Sequence, residues 1–137
     1  MTERASIVLI YSDRPEVREK MRLAVGTRPA ADVTVEFLEA DSYNRAVWLL
    51  DRHDVDLLLL DGEAQPAGGL SIARQLKDER DDAPPVCVVL ARSADRWLAA
   101  FAEVEATLMH PMDPVQTGQA VAALLRERAS GALPSAG

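Results

Sequence analysis

The sequence is short of cysteine, with only Cys87 among 137 residues, so a disulfide framework cannot stabilise its fold. Cys87 lies inside the apolar run VCVVL, where we expect it to serve as a small core residue. A chain that needs no oxidising compartment is typical of the cytoplasm, and we expect that location.

Long apolar runs are also absent. No run approaches the roughly 20 residues that a membrane-spanning helix requires. The first residues, MTERASIVLIYSD, reach acidic side chains too early to resemble a signal peptide. We therefore expect no membrane partner.

Positive charge is scarce, because 15 lysines and arginines face 22 acidic residues and leave a net charge of −7. The arginines are scattered among the acids, which argues against a nucleic-acid-binding surface. The two histidines form no nucleophile–base pair in the sequence, so an enzyme is not expected. An apolar content of 48% is typical of a globular domain. We expect one domain over residues 1–128 and a flexible tail over residues 129–137, which is small and rich in Gly, Pro and Ser.

Predicted strands and helices alternate along the chain, which favours an α/β fold with parallel strands and helices on both faces. Five strands fit a doubly wound parallel sheet of order 2-1-3-4-5 with five helices. The predicted strands are Ser6–Tyr11, Val33–Leu38, Leu57–Asp61, Val86–Leu90 and Ala106–Met109. The predicted helices follow them at 15–26, Tyr43–Arg52, Leu70–Glu79, Ala94–Ala102 and 114–128.

The stretch Val55–Leu70, VDLLLLDGEAQPAGGL, contains the predicted central strand of the sheet. Its leucines read as a strand buried on both faces, and the run stops at Asp61. Asp13 likewise follows the first strand. In the order 2-1-3-4-5 these two carboxylates meet at the switch point, where open α/β sheets bind ligands. The alternative for Asp61 is a simple Asp-Gly turn.

Four motifs in this order resemble the receiver domain of bacterial two-component response regulators. IVLIYSD resembles the first strand, VDLLLLD with Gly69 eight residues past the aspartate resembles the phosphoacceptor segment, PPVCVVLA resembles the fourth strand, and LMHPMDP resembles the turn after the fifth. The resemblance implies that Asp61 accepts a phosphoryl group from a sensor histidine kinase or phosphotransfer protein. It also implies Mg²⁺ held, weakly, by Asp13, Asp61 and the backbone carbonyl of Glu63.

The sequence departs from the usual receiver pattern at three positions around this site. Ser12 replaces the first of two acids, Leu90 replaces a Thr or Ser, and His110 replaces a lysine. A missing lysine removes a permanent positive charge, and a missing hydroxyl removes a donor to a phosphoryl oxygen. These losses leave two interpretations open besides a phosphorylated, stand-alone receiver. One is a pseudo-receiver that acts as a phosphorylation-independent interaction module, and the other is an unrelated flavodoxin-like protein that holds a cofactor at the same edge.

Output from a stand-alone receiver must pass through protein docking to an effector in trans, and a homodimer is a further alternative. Trp97 and Phe101 lie one helical turn apart on the predicted fourth helix, in the region where receivers usually dock partners. We predict that they mark a partner surface. The alternative is that both pack in the core.

Overall fold

The computed structural model of the protein describes residues 5–130, except for the side chains of Phe101 and Ser130. Strands and helices alternate through this range, as the sequence predicts. The strands are β1 (Ser6–Tyr11), β2 (Val35–Ala40), β3 (Leu57–Asp61), β4 (Val86–Leu90) and β5 (Ala106–Met109). The helices are α1 (Pro15–Val25), α2 (Tyr43–Arg52), α3 (Gly69–Glu79), α4 (Arg96–Phe101) and α5 (Pro114–Ser130), with a 3₁₀ turn at Ser93–Asp95 before α4.

The strands form one parallel sheet of order β2-β1-β3-β4-β5, which confirms the predicted topology. Every residue of β3 and of β4 is buried, because helices cover both faces of the sheet. β1 and β3 are in register with Tyr11 opposite Leu60, so their carboxyl ends finish side by side.

Apolar side chains pack in one cluster on each face of the sheet. On one face α2 and α3 cover the strands, with Leu49, Ile72 and Leu76 among the buried residues. On the other face α1 and α5 do so, with Met21 and Val121 wholly buried. The sheet is therefore held between two helical layers that fix the positions of its strand ends.

Cys87 lies in β4 and is wholly buried, as predicted for a core residue. Burial raises the pKa of its thiol to about 12, so the thiol stays protonated at neutral pH.

Local sequence signals set several helix ends. Pro15 opens α1, and the Ser42 hydroxyl accepts a hydrogen bond from the Arg45 amide (3.1 Å) at the start of α2. Asp113 does the same for the Val115 amide (3.2 Å) at the start of α5. Gly26 ends α1 with φ +71°, a conformation that a side chain would strain.

Three elements have an end that differs from the sequence-based prediction by two residues or more. β2 begins at Val35 and not at Val33, because Val33 pairs with Ala30 in a tight turn. α4 is only six residues long, since Ser93–Asp95 forms a 3₁₀ turn. α5 extends to Ser130 and so includes two residues that were assigned to the tail; residues 131–137 of that predicted tail lie outside the described residues.

Gly69 lets α3 start against the end of β3. A Cβ atom on Gly69 would lie 2.9 Å from the Asp61 carbonyl oxygen and 2.9 Å from the Leu60 Cβ. By contrast, a Cβ on Gly118 in α5 would meet nothing closer than the Pro29 carbonyl oxygen at 3.5 Å. The close approach at Gly69 therefore depends on the absence of a side chain.

The two glycines give a matched pair of substitutions. We expect Gly69→Ala to destabilise the fold by about 1–3 kcal/mol through overpacking. We expect Gly118→Ala to stabilise it by up to about 1 kcal/mol, because alanine favours a helix interior. Urea unfolding of both variants measures the difference. Equal effects of the two substitutions would contradict the close packing at Gly69.

Candidate functional site

Three segments bring polar side chains to the carboxyl edge of the sheet: the turn from β1 to α1, the end of β3 and the turn after β5. Asp61 ends β3, Ser12 follows β1, Arg14 precedes α1 and His110 follows β5. The His110 amide donates to the Leu90 carbonyl oxygen (2.8 Å), which holds the turn after β5 beside the end of β4. The Asp61 side chain is wholly buried at the centre of this group.

Both carboxylate oxygens of Asp61 accept hydrogen bonds. The Ser12 hydroxyl donates to Oδ2 at 2.8 Å, and the Glu63 amide donates to Oδ1 at 2.9 Å. The His110 Nε2 lies 3.2 Å from Oδ1, and it must be the donor when Asp61 is ionised, because a carboxylate only accepts. The Arg14 guanidinium adds a positive charge, with Nη2 3.6 Å from Oδ2.

These contacts decide the protonation state of Asp61. Burial raises the pKa of its carboxyl group, but the hydrogen bonds from His110, the Glu63 amide and Ser12 outweigh burial and hold the pKa below its usual value. Asp61 is therefore ionised at neutral pH, which is the state that a nucleophilic carboxylate needs.

Three hydrogen bonds fix the position of Ser12. Its hydroxyl donates to Asp61 and accepts from the Arg14 amide at 3.2 Å, and its carbonyl oxygen accepts from the Arg18 guanidinium at 2.8 Å. Sequence reasoning missed both arginines. Their position at the start of a helix that follows β1 was the available signal.

Asp13 and Glu63 lie beside Asp61 without contacting its carboxylate through their own side chains. Asp13 Oδ1 accepts the Gln65 amide (2.9 Å), which ties it to the loop after β3. Glu63 contacts Asp61 through its amide, and the residue lines the groove between α3 and α4.

The predicted metal ligands can be tested against this arrangement. Within residues 5–130, no group of three or more His, Cys, Asp or Glu side chains is placed to hold a metal ion. The oxygens of Asp61 already face a hydroxyl, an amide, an imidazole and a guanidinium. A cation prefers several carboxylate or carbonyl oxygens, so this donor set does not fit Mg²⁺ as arranged.

Leu90 lies at the end of β4, at the position where receivers usually carry a Thr or Ser. It is buried, and a Cβ added to Gly62 would lie 3.0 Å from its Cδ2 atom, so its side chain packs directly on the loop after Asp61. The side chain therefore supplies apolar contact on the α3 side of Asp61 and no hydrogen bond.

Tyr11 holds the loop after β3 in place through a hydrogen bond. Its hydroxyl donates to the Ala67 carbonyl oxygen at 2.5 Å, and burial, followed by the charges of Asp13 and Asp61, raises its pKa. The hydroxyl therefore stays a donor throughout the physiological pH range.

Trp97, on α4, is an exposed aromatic residue. Its side chain is 61% exposed, so packing in the core is the wrong interpretation for this residue. The side chain of Phe101 lies outside the described part of the structure. A partner surface at these positions stays a prediction.

Fold and site together define a receiver-type signalling domain, with an ionised aspartate at the switch point of a doubly wound sheet. Comparisons with known proteins agree. Two uncharacterized response regulatory proteins of Mycobacterium tuberculosis, from strains CDC 1551 and H37Rv, are each 41% identical to the chain over 120 residues, which are 87% of this chain and 90% of each relative. A CheY-like response regulator receiver domain protein from Methanospirillum hungatei JF-1 superposes with a TM-score of 0.74 at 15% identity, over 93% of this chain and 98% of that one. No protein-family model matches the sequence.

The chain therefore belongs to the response regulators of two-component systems, as a receiver domain. It is a signalling domain and not an enzyme, and a response regulator implies a kinase partner. The receiver fold typically binds Mg²⁺. Within residues 5–130, no helix combines the length and the apolar character needed to cross a membrane.

Titration of Asp61 tests the hydrogen-bond network. We expect the NMR signal of its carboxyl carbon to titrate below pH 3.8, the ordinary value for an aspartate. Ser12→Ala and His110→Leu should each raise the midpoint, because each removes a donor to the charged form. His53→Leu, a change to the exposed histidine at the end of α2, is the matched control and should leave the midpoint unchanged.

The lowered pKa of Asp61 also predicts how the stability of the fold depends on pH. Because the pKa of Asp61 is lower in the folded than in the unfolded chain, its ionised form contributes stability above the unfolded value. That contribution is lost as the pH falls through the folded value. A midpoint at or above 3.8 in the unmodified protein would contradict the network.

Proposed function

We propose that residues 1–128 act as a response regulator receiver in a bacterial phosphorelay, with Asp61 as the phosphoacceptor. The donor is a sensor histidine kinase or a phosphotransfer protein, and the signal passes on by docking to an effector protein in trans. The observation that carries the proposal is the ring of donors around an ionised Asp61, which includes the Arg14 guanidinium and the His110 imidazole.

The proposed reaction transfers a phosphoryl group from phosphohistidine to Asp61. A carboxylate oxygen of Asp61 forms the new P–O bond while the P–N bond of the donor breaks, and the donor imidazole leaves with the bonding pair and takes a proton from water. Stabilising the charge on the phosphoryl oxygens is the main catalytic requirement. Groups that now hold the carboxylate are of the kind that would hold those oxygens.

Arg14 and His110 are the two groups that can make room for the phosphoryl donor. The side chain of Arg14 is 49% exposed and that of His110 is 26% exposed, whereas Asp61 is wholly buried. Both therefore lie on the solvent side of the carboxylate. An outward swing of either would open Asp61 to attack, and a return would place its N–H groups on the phosphoryl oxygens.

In this proposal Arg14 and His110 take the part of the usual lysine. As arranged the site does not fit Mg²⁺, so the ion would be held by Asp13, Asp61 and the Glu63 carbonyl oxygen only after the Arg14 guanidinium moves away from Asp61, and its binding would therefore be weak.

A pseudo-receiver is the second candidate, and the full burial of Asp61 favours it. In that function the carboxylate is a structural anchor that joins β1, β3, β5 and α1. Docking would then proceed without phosphorylation. The two candidates differ in whether any modification of Asp61 occurs.

The two candidate functions can be distinguished by restoring the hydroxyl and the lysine that receivers usually carry. We expect acetyl phosphate to modify the unaltered protein slowly and the Leu90→Thr/His110→Lys variant at least about tenfold faster, because a hydroxyl and a lysine then serve the phosphoryl oxygens. Intact-protein mass spectrometry, with and without Mg²⁺, follows the added phosphoryl group. Asp61→Asn in the same background is the control and should remain unmodified.

The outcomes point in different directions. A folded double variant that takes no phosphoryl group would overturn Asp61 as phosphoacceptor and favour the pseudo-receiver. Rapid, complete modification of the unaltered protein would show that Arg14 and His110 already replace the usual groups.

Arg14 can be tested separately. In the double variant, where modification is fast enough to measure, we expect Arg14→Gln to slow modification by about tenfold through loss of a charged donor. Arg22→Gln, in the helix α1 that follows Arg14 but paired with Glu19, is the control and should leave the rate unchanged. An equal effect of both changes would exclude a specific role for Arg14.

A further inference from the structure

A large open groove lies between α3 and α4, next to the Asp61 site. Its volume is about 920 Å³, and its apolar wall consists of Leu70, Leu90, Leu98 and Ala102. Leu98 is 38% exposed, which is unusual for a leucine beside a buried strand. The groove is therefore an apolar surface open to solvent, and not a closed cavity.

The short α4 leaves this groove open. Its six residues span roughly 9 Å, whereas the 11 residues of α3 span roughly 16 Å. α4 therefore covers only part of the side of α3. The floor is apolar because Leu90 occupies the end of β4.

The rim of the groove carries an excess of negative charge. Four acids, Glu63, Asp78, Glu79 and Asp95, face two arginines, Arg74 and Arg92. The arginines are each paired along their own segment, Arg74 with Asp78 at 3.2 Å and Arg92 with Asp95 at 3.2 Å. These two pairs leave the carboxylates of Glu63 and Glu79 as the excess negative charge of the rim. The rim as a whole therefore suits a positively charged partner.

We propose that this groove docks a basic amphipathic helix of a partner protein. Leucine-type side chains would pack against Leu70, Leu90 and Leu98, and lysines or arginines would face the acidic rim. A helix fits better than an extended strand, because the groove lies between helices and away from the sheet edges at β2 and β5. This inference rests on the proposed output by docking and names its surface.

The groove also adjoins the phosphoacceptor. Gly62 and Glu63 line it, and the Glu63 amide donates to Asp61 Oδ1. A change at Asp61 therefore reaches the groove through a single peptide segment. An occupant that packs on Leu90 would in turn hold that segment in place.

A synthetic helix of leucine and lysine, about 14 residues or about 21 Å long, is the probe. Titrated into the isotope-labelled full chain, it should shift the NMR signals of Gly62, of α3 and of Leu98 in a saturable way. A leucine–glutamate peptide of the same pattern should not bind. Leu98→Glu should weaken binding of the basic peptide at least about tenfold, because it removes apolar contact.

Leu98→Glu discriminates because it also adds negative charge, so attraction by charge alone would become stronger. Leu23→Glu is the matched control, since Leu23 is a 65% exposed leucine on α1, outside the groove, and this change should not weaken binding. Signals that shift over the whole acidic surface, or tighter binding by Leu98→Glu, would overturn the proposal. Binding at α1, or self-association of the chain without peptide at this face, would overturn it as well.

The same titration in Asp61→Asn keeps the two proposals apart. Peptide binding in the groove of this variant supports the docking site even where Asp61 takes no phosphoryl group. Failure of groove binding in both forms, with Asp61 still modified in the unaltered protein, would overturn the docking site and leave the phosphoacceptor intact.

Discussion

A buried negative charge at the edge of the sheet is the constraint on which the rest of this site depends. An ionised carboxylate cannot remain buried unless hydrogen bonds and positive charge compensate for the lost water. The compensation for Asp61 comes from Ser12 and Arg14 in the turn from β1 to α1, from the Glu63 amide just after β3, and from His110 after β5, which makes three segments. Each segment must therefore end at the right level of the sheet, which ties the register of the strands to the chemistry of the site.

The departures from the usual receiver pattern form one connected change. Ser12 gives Asp61 a hydroxyl donor in place of an acid, Arg14 brings a positive charge close to the carboxylate, and His110 places its Nε2 at 3.2 Å from Oδ1. On the side of the loop after β3 that faces the groove between α3 and α4, Leu90 supplies an apolar contact. The polar contacts of Asp61 therefore lie on the side of α1 and β5, whereas the side towards α4 is an apolar groove.

The fold was predictable because its signals are local and repeated. Leu57–Leu60 and VCVVL read as strands buried on both faces, and Pro15, Ser42 and Asp113 mark helix starts, so the order 2-1-3-4-5 followed and is confirmed. Two of the wrong boundaries, at Val33 and at Ser93–Asp95, are places at which a short turn competes with a regular element. Such competition is decided by the packing of neighbouring segments, which short-range patterns do not report.

By itself the sequence determined the doubly wound sheet, the placing of Asp13 and Asp61 at one edge, and the presence of Ser12, Leu90 and His110 around them. Only the tertiary structure decided that Arg14 reaches Asp61, that Asp13 binds the Gln65 amide, and that a groove opens beside Leu98. The physical reason is one of range. Strand and helix periodicity depends on neighbours a few residues apart, whereas a guanidinium, a carboxylate and an amide meet only after the whole sheet has brought distant segments together.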